Sequence, residues 1–92
     1  MFIHCVLFGI QKKHVPSYRR DCRIWQKEAK RQPGFLGYHT LARTNRANQY
    51  ASFYLWKSEG HHRKFMSRHH DRLVSESSCP VRVLGYYNFK TV

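Results

Sequence analysis

Acidic residues are scarce in this chain of 92 residues: five Asp and Glu stand against 17 Lys and Arg, a formal net charge of +12. So few carboxylates weigh against mechanisms that need two of them in one site. The positive electrostatic field of such a chain attracts nucleic acid, acidic surfaces and anionic ligands. The basic residues are spread along the chain, with no more than two adjacent. The sequence therefore leaves two interpretations open, a solvated basic surface and an anion-binding patch.

Several functional patterns are also missing. Three cysteines at wide spacings, with no CxxC pair, form neither a disulfide framework nor a zinc knuckle. No run approaches the roughly 20 apolar residues of a membrane helix. There is no glycine-rich phosphate loop, nucleophile elbow or HExxH motif. These absences disfavour hydrolases and nucleotide-dependent enzymes, and they favour a cytoplasmic protein with reduced thiols and no membrane partner.

The hydrophobic periodicity predicts six elements in the order β-α-β-β-α-β. Strands are expected over residues 2–10, 35–43, 49–56 and 81–89. The first helix is expected from Pro16 to the Pro33-Gly34 pair, and the second from a Ser58 cap to about residue 74. This order is the split βαβ of ferredoxin-like domains. We therefore predict a single α+β domain over residues 1–92.

The predicted strands are apolar or aromatic in both phases of their alternation. Two helices cover one face of such a sheet, so the other face would leave an apolar patch of about several hundred Å² in water. A chain of this length is also a marginal monomer, and association with another copy is the remedy that its composition leaves. We predict a homodimer through the open face, with base stacking on that face as the alternative.

Three short motifs in register resemble a known superfamily. They are Pro33-Gly34-Phe35-Leu36-Gly37, the strand end Tyr54-Leu55-Trp56-Lys57-Ser58, and the helix segment Phe65-Met66-Ser67-Arg68-His69-His70-Asp71. Together they resemble the dimeric α/β-barrel superfamily that includes antibiotic-biosynthesis monooxygenases, and most closely its small bacterial members with GFLG and FMxxxHD motifs. The resemblance implies two sheets that face each other around a cavity. It also implies a small-molecule monooxygenase that acts on an aromatic substrate without a bound cofactor.

His39 and His70 are the candidate catalytic residues, because an imidazole can take up a proton near neutral pH. His39 shares its strand phase with Phe35, Gly37 and Leu41. If that face lines the cavity, His39 and His4 could both touch a ligand; otherwise each is an ordinary strand histidine. His70-Asp71 is the pair that resembles the superfamily. Adjacent helix residues do not face each other, so a structural role near the helix end is the alternative.

The candidate substrate-binding residues are His4, Tyr50, Tyr54, Trp56 and Met66. An oxygenase without a cofactor must hold an electron-rich ring, remove a proton and exclude water, and aromatic walls with one base can do this. Interface packing is the alternative role for the aromatic residues. No metal site is expected from the second helix, because His62 and His69 lie two turns apart, about 10.5 Å along the axis.

Two other functions stay open on the sequence alone. One is a non-enzymatic dimeric module of the same fold that binds a ligand or acts under stress. The other is RNA binding, because RNA-recognition domains share this order of elements. The third strand is aromatic but lacks the basic residue and glycines of their motif, so nucleic acid is not favoured. If RNA binds, Phe53→Ala or Tyr54→Ala should weaken it.

Overall fold

The computed structural model describes all 92 residues and has the predicted order of elements. Strands β1 (Phe2–Gly9), β2 (Phe35–Ala42), β3 (Gln49–Trp56) and β4 (Arg82–Lys90) form one antiparallel sheet in the order β2-β3-β1-β4. Helices α1 (Val15–Lys30) and α2 (Glu59–Glu76) cover one of its faces. The ferredoxin-like α+β prediction is confirmed, and the element ends differ from those expected by one or two residues.

Local signals set the helix ends. The Ser58 side chain caps α2 by accepting a hydrogen bond from the backbone N–H of His61, and Pro16 lies in the first turn of α1. Gly34, at φ +82°, makes the turn into β2, and a Cβ there would lie 2.3 Å from the His61 ring. Only glycine fits this turn. Neither helix is long and apolar enough to cross a membrane.

The core lies between the sheet and the helices. Its fully buried side chains are Trp56, Phe65, Ile10 and Leu73. The Trp56 and Phe65 rings pack with centroids 5.2 Å apart, which joins β3 to α2. The predicted apolar stripe of α1 also faces this layer, where it buries Tyr18, Cys22 and Ala29 and leaves Trp25 half-buried. Burying large aromatic side chains supplies most of the driving force in so small a domain.

Strand pairing sorts the side chains onto two faces. His4 lies opposite Tyr54 on the helix-covered face, and the next pair, Cys5 and Phe53, lies on the open face. No helix covers the open face, and Tyr87 and Phe89 of the edge strand are about half exposed there, at 47% and 55%. The apolar residues of the open face include Ile3, Cys5, Leu7, Leu41, Ala51, Phe53, Leu55, Tyr87 and Phe89.

A bulge in β2 changes one predicted face. The register of β2 against β3 shifts between Phe35 and Gly37. Phe35 therefore turns to the helix-covered side, where its ring meets Trp56 edge-on at 5.7 Å. His39 stays on the open face with Gly37. The expectation that Phe35 and His39 share a face is wrong, because a bulge adds a residue and reverses the alternation that precedes it.

Candidate functional site

A cavity of about 400 Å³ lies between the helix layer and the sheet. This volume is within the range of small-molecule sites. Thirteen of its 18 lining residues are hydrophobic, and none is Lys or Arg despite the charge of the chain. The lining residues are His4, Val6, Phe8, Tyr18, Asp21, Cys22, Trp25, Tyr38, Ser52, Tyr54, Met66, His70, Val74, Ser77, Cys79, Val81, Val83 and Tyr86.

Four of the seven predicted site residues line this cavity: His4, Tyr54, Met66 and His70. They come from three separate elements, β1, β3 and α2. His4 and Tyr54 are neighbours across the β1–β3 pairing, with ring centroids 6.0 Å apart. The fold thus brings together side chains that are up to 66 residues apart in sequence (4 to 70).

The other three predicted residues lie elsewhere. Trp56 is fully buried in the core, and its indole N–H has no hydrogen-bond partner. Tyr50 is half-buried against Tyr18, with ring centroids 6.0 Å apart. His39 is exposed on the open face, opposite Phe53. His39 and His4 therefore lie on opposite faces of the sheet, and the assignment of His39 as a catalytic residue stays a prediction that needs a site on the open face.

The aromatic residues of β3 are likewise divided between the two faces. Phe53 lies on the open face, whereas Tyr54 is buried under the helices, where its ring centroid is 4.6 Å from that of Tyr38. Phe53 and Tyr54 therefore do not form one surface on which RNA bases could stack.

Hydroxyl groups on the sheet side of the cavity meet at Ser52. The Tyr18 hydroxyl and the Ser52 Oγ are 2.8 Å apart, and the Tyr38 hydroxyl donates to the same Oγ at 3.1 Å. The Cys22 Sγ lies 3.8 Å from it. Burial raises the pKa of Tyr18, Tyr38 and Tyr54. These phenols stay neutral at physiological pH, so this wall offers hydrogen bonds but no base.

His4, which lines the cavity, packs against a second histidine, His62, which lies outside the lining. The Nδ1 of His4 donates to the Asn88 Oδ1 at 2.6 Å, and the His62 ring lies against the His4 ring with centroids 4.3 Å apart. Burial lowers the pKa of both residues, for His62 to about 4, with the charges of His4 and Arg63 contributing. Both imidazoles are neutral near pH 7, and with Nδ1 engaged the free Nε2 of His4 is an acceptor.

His70 occupies a wetter part of the wall. Its side chain is 44% exposed, and the Trp25 ring stands edge-on to it at 5.9 Å. The His70 Nδ1 lies 3.1 Å from the Asp71 Oδ1, so the side chains of these two adjacent helix residues do meet, although Asp71 is fully exposed.

Sequence reasoning missed Asp21, the one acidic residue that lines the cavity. It is only 6% exposed. Its Oδ2 accepts hydrogen bonds from the backbone N–H groups of Ser78 at 3.0 Å and Cys79 at 2.8 Å, which holds the segment after α2 against α1. The position of Asp21 in the sequence could have identified it. It lies three residues after Tyr18 and four before Trp25, which places it on the buried stripe of α1.

Solved structures with the same fold have very different sequences. MupZ from Pseudomonas fluorescens matches with a TM-score of 0.79 at 11% identity, over 95% of this chain and 65% of MupZ. A proposed antibiotic biosynthesis monooxygenase from Deinococcus radiodurans matches with a TM-score of 0.81 at 12% identity, over 100% of this chain and 93% of that one. The chain has the fold of the antibiotic-biosynthesis-monooxygenase-like proteins.

A third match is SnoaB, a cofactor-independent oxygenase from Streptomyces nogalater, with a TM-score of 0.66 at 15% identity, over 99% of this chain and 92% of SnoaB. The resemblance predicted from the sequence is thereby confirmed for the fold. Identities of this size show a shared fold and do not assign an activity. No protein-family profile and no curated protein sequence matches the chain.

Proposed function

We propose that this chain is a monooxygenase-like enzyme that oxidises an aromatic substrate in the cavity without a bound cofactor. The observation that carries the proposal is the cavity itself, about 400 Å³ and mostly apolar, with two imidazoles and a carboxylate in its wall. Such a site suits a flat apolar ligand that a few polar groups orient. The oxygenase SnoaB, which shares the fold, is cofactor-independent, and the chain has no glycine-rich phosphate loop for a nucleotide.

His70 is the proposed base. It lines the cavity, and its Nδ1 lies 3.1 Å from the Asp71 Oδ1. His4 suits this role less well, because burial lowers its pKa and His62 stacks on it. A general base must keep the proton that it removes. The His4 imidazole is buried and lies against the His62 ring, so its protonated form is disfavoured. His4 instead fits as a neutral hydrogen-bonding group for the ligand.

The reaction needs only the substrate, a base and O₂. Removal of a proton from a ring CH₂ group next to a hydroxylated aromatic ring gives a carbanion that reacts with O₂ from solution. One oxygen atom becomes a carbonyl on that carbon, and the other leaves as water with the two hydrogens of the CH₂ group. The apolar wall keeps bulk water from returning a proton to the carbanion. Tyr54 and Met66 are the proposed contacts to the ring, one rigid and one adaptable.

We further propose that two copies pair through the open sheet face. The strands β1 and β3, which form the centre of that face, contain no charged residue. The repulsion between two strongly basic chains therefore acts at the rim, where salt screens it. An uncovered apolar face of this kind favours association with a matching one. The cavity lies on the other side of the sheet, so each copy keeps its own site.

Oxygen uptake with 1,8-dihydroxyanthrone, which has a ring CH₂ between two aromatic rings, tests the proposed function. The wild-type chain should consume one O₂ per molecule of substrate. His70→Ala should lower kcat by about 10²- to 10⁴-fold while the substrate still binds, because only the base is lost. If His39→Ala stops turnover and His70→Ala does not, the reaction belongs to the open face. Circular dichroism of both variants checks that they fold.

A ligand-binding module without catalysis is the second candidate, because the same cavity would serve it. The enzyme and the binding module should both bind the ligand, but only the enzyme should consume oxygen. Saturable binding of 1,8-dihydroxyanthrone by the wild-type chain, with no oxygen consumed above the rate in buffer, would select the binding module.

A further inference from the structure

Asp21 has one oxygen that the fold itself does not use. Its Oδ2 accepts the two backbone hydrogen bonds from Ser78 and Cys79, whereas its Oδ1 is buried and accepts none. The side chain is 6% exposed and lines the cavity. No Lys or Arg lines the cavity, so no cation there neutralises this carboxylate. Buried polar atoms are nearly always paired, so this one requires an explanation.

Holding the segment after α2 does not explain the choice of aspartate. An asparagine at position 21 would accept the same two backbone hydrogen bonds through its single amide oxygen, without a buried charge. What a carboxylate adds is a second acceptor that is anionic. Hydrogen bonds to a charged acceptor are roughly twice as strong as neutral ones. The Oδ1 atom is therefore suited to a donor on whatever occupies the cavity.

We propose that Asp21 is a specificity-determining residue that accepts a hydrogen bond from a phenolic hydroxyl of the ligand. The inference rests on the proposed function of the cavity and adds the residue that selects a free hydroxyl on the aromatic ring in preference to the corresponding ether. The hydroxyl groups of Tyr18, Tyr38 and Ser52 in the cavity wall already bond to one another. Asp21 also disfavours aromatic carboxylates, whose charge it would repel with no cation between them.

Calorimetric titration with 2-naphthol and 2-methoxynaphthalene tests the inference, since the two ligands differ only in the donor hydrogen and a methyl group. The wild-type chain should bind 2-naphthol about 10- to 100-fold more tightly, because the ether cannot donate to Oδ1. In Asp21→Asn the preference should fall to roughly threefold or less, because an amide NH₂ group donates equally to a hydroxyl and an ether oxygen. Thermal unfolding checks that the variant folds.

Glu59→Gln is the matched control, because it removes one negative charge from an exposed pair with Arg63 outside the cavity. It should keep the full preference for 2-naphthol. Equal binding of both ligands by the wild-type chain, or a preference that survives in Asp21→Asn, would overturn the inference and leave the cavity as a ligand site. If neither ligand binds, the proposed function fails and the inference fails with it. Where Asp21→Asn does not fold, equal wild-type affinities for the two ligands would still overturn the inference.

Discussion

On the helix-covered face of the sheet, His4, Ser52 and Tyr54 each meet a side chain from a helix: His62, Tyr18 and Phe65. On the open face, Cys5, Phe53 and Leu55 have only their neighbours in the sheet. The same strands supply both sets by alternation. The difference shows what the helices add to the sheet. They leave space between the two layers, and that space holds both the polar groups and the cavity. The open face, which is mostly apolar, suits a second sheet.

A charge at the centre of the open face should have the largest effect. The wild-type chain should show a mass near twice 11.1 kDa by light scattering, at both low and high salt. Phe53→Glu should reduce it to 11.1 kDa, because pairing would bury two unpaired carboxylates. Binding of 2-naphthol should be unchanged, since the cavity lies behind the other face.

Val92→Glu, which adds the same charge at a fully exposed residue outside the strands, is the control and should stay dimeric. A wild-type monomer at both salt concentrations would contradict the proposed pairing. If that monomer binds single-stranded RNA at low salt, the open face is a nucleic-acid surface.

A smaller effect, on the free energy of unfolding, is expected when acid protonates the histidines of the helix-covered face. The pKa of His62 lies at about 4 when folded, and an unfolded histidine takes up its proton near 6.5. Between these values the unfolded chain binds more protons, so the free energy of unfolding should fall as pH falls from about 6.5 to 4 and then level off. His4, whose pKa burial also lowers, acts in the same direction. The His62 ring is only partly buried, so we expect its share to be about 1 kcal/mol.

Urea unfolding at pH 7, 5 and 4 measures this loss. His62→Phe should reduce the pH dependence, because it keeps an aromatic ring against Phe2 and His4 and removes the proton site. Val92→Phe, which adds the same ring at a fully exposed residue and removes no proton site, is the control and should keep the full dependence. A stability that stays constant or rises on acidification would show that the buried histidine pair does not act as described.

Features of the fold that depend only on residues close together in the sequence could be predicted. The bounds of β3, the Ser58 cap and the buried stripe of Tyr18, Cys22 and Ala29 follow from periodicity and capping, which act within a few residues. His39 was misplaced relative to Phe35 because a bulge leaves no clear mark in the alternation. A bulge depends on how two strands pair, and the sequence of one strand does not show that pairing.

The site itself depends on contacts between distant parts of the chain. Whether a cavity forms depends on how far the helices stand from the sheet, and no local pattern encodes that distance. Asp21 bonds to backbone groups 57 and 58 residues further along the chain. His4, Tyr54 and Met66 could be singled out by residue type, but which of the predicted aromatic residues would reach the cavity depended on packing. Trp56 filled the core instead.

Methyl-resolved NMR during a titration with 2-naphthol tests whether ligands bind between the helices and the sheet. Binding there should shift the signals of the cavity methyl groups of Val6, Met66 and Val83 and leave those of Ile3, Leu7 and Leu55 on the open face unchanged. Shifts at the open-face methyl groups, with the cavity signals unmoved, would contradict it.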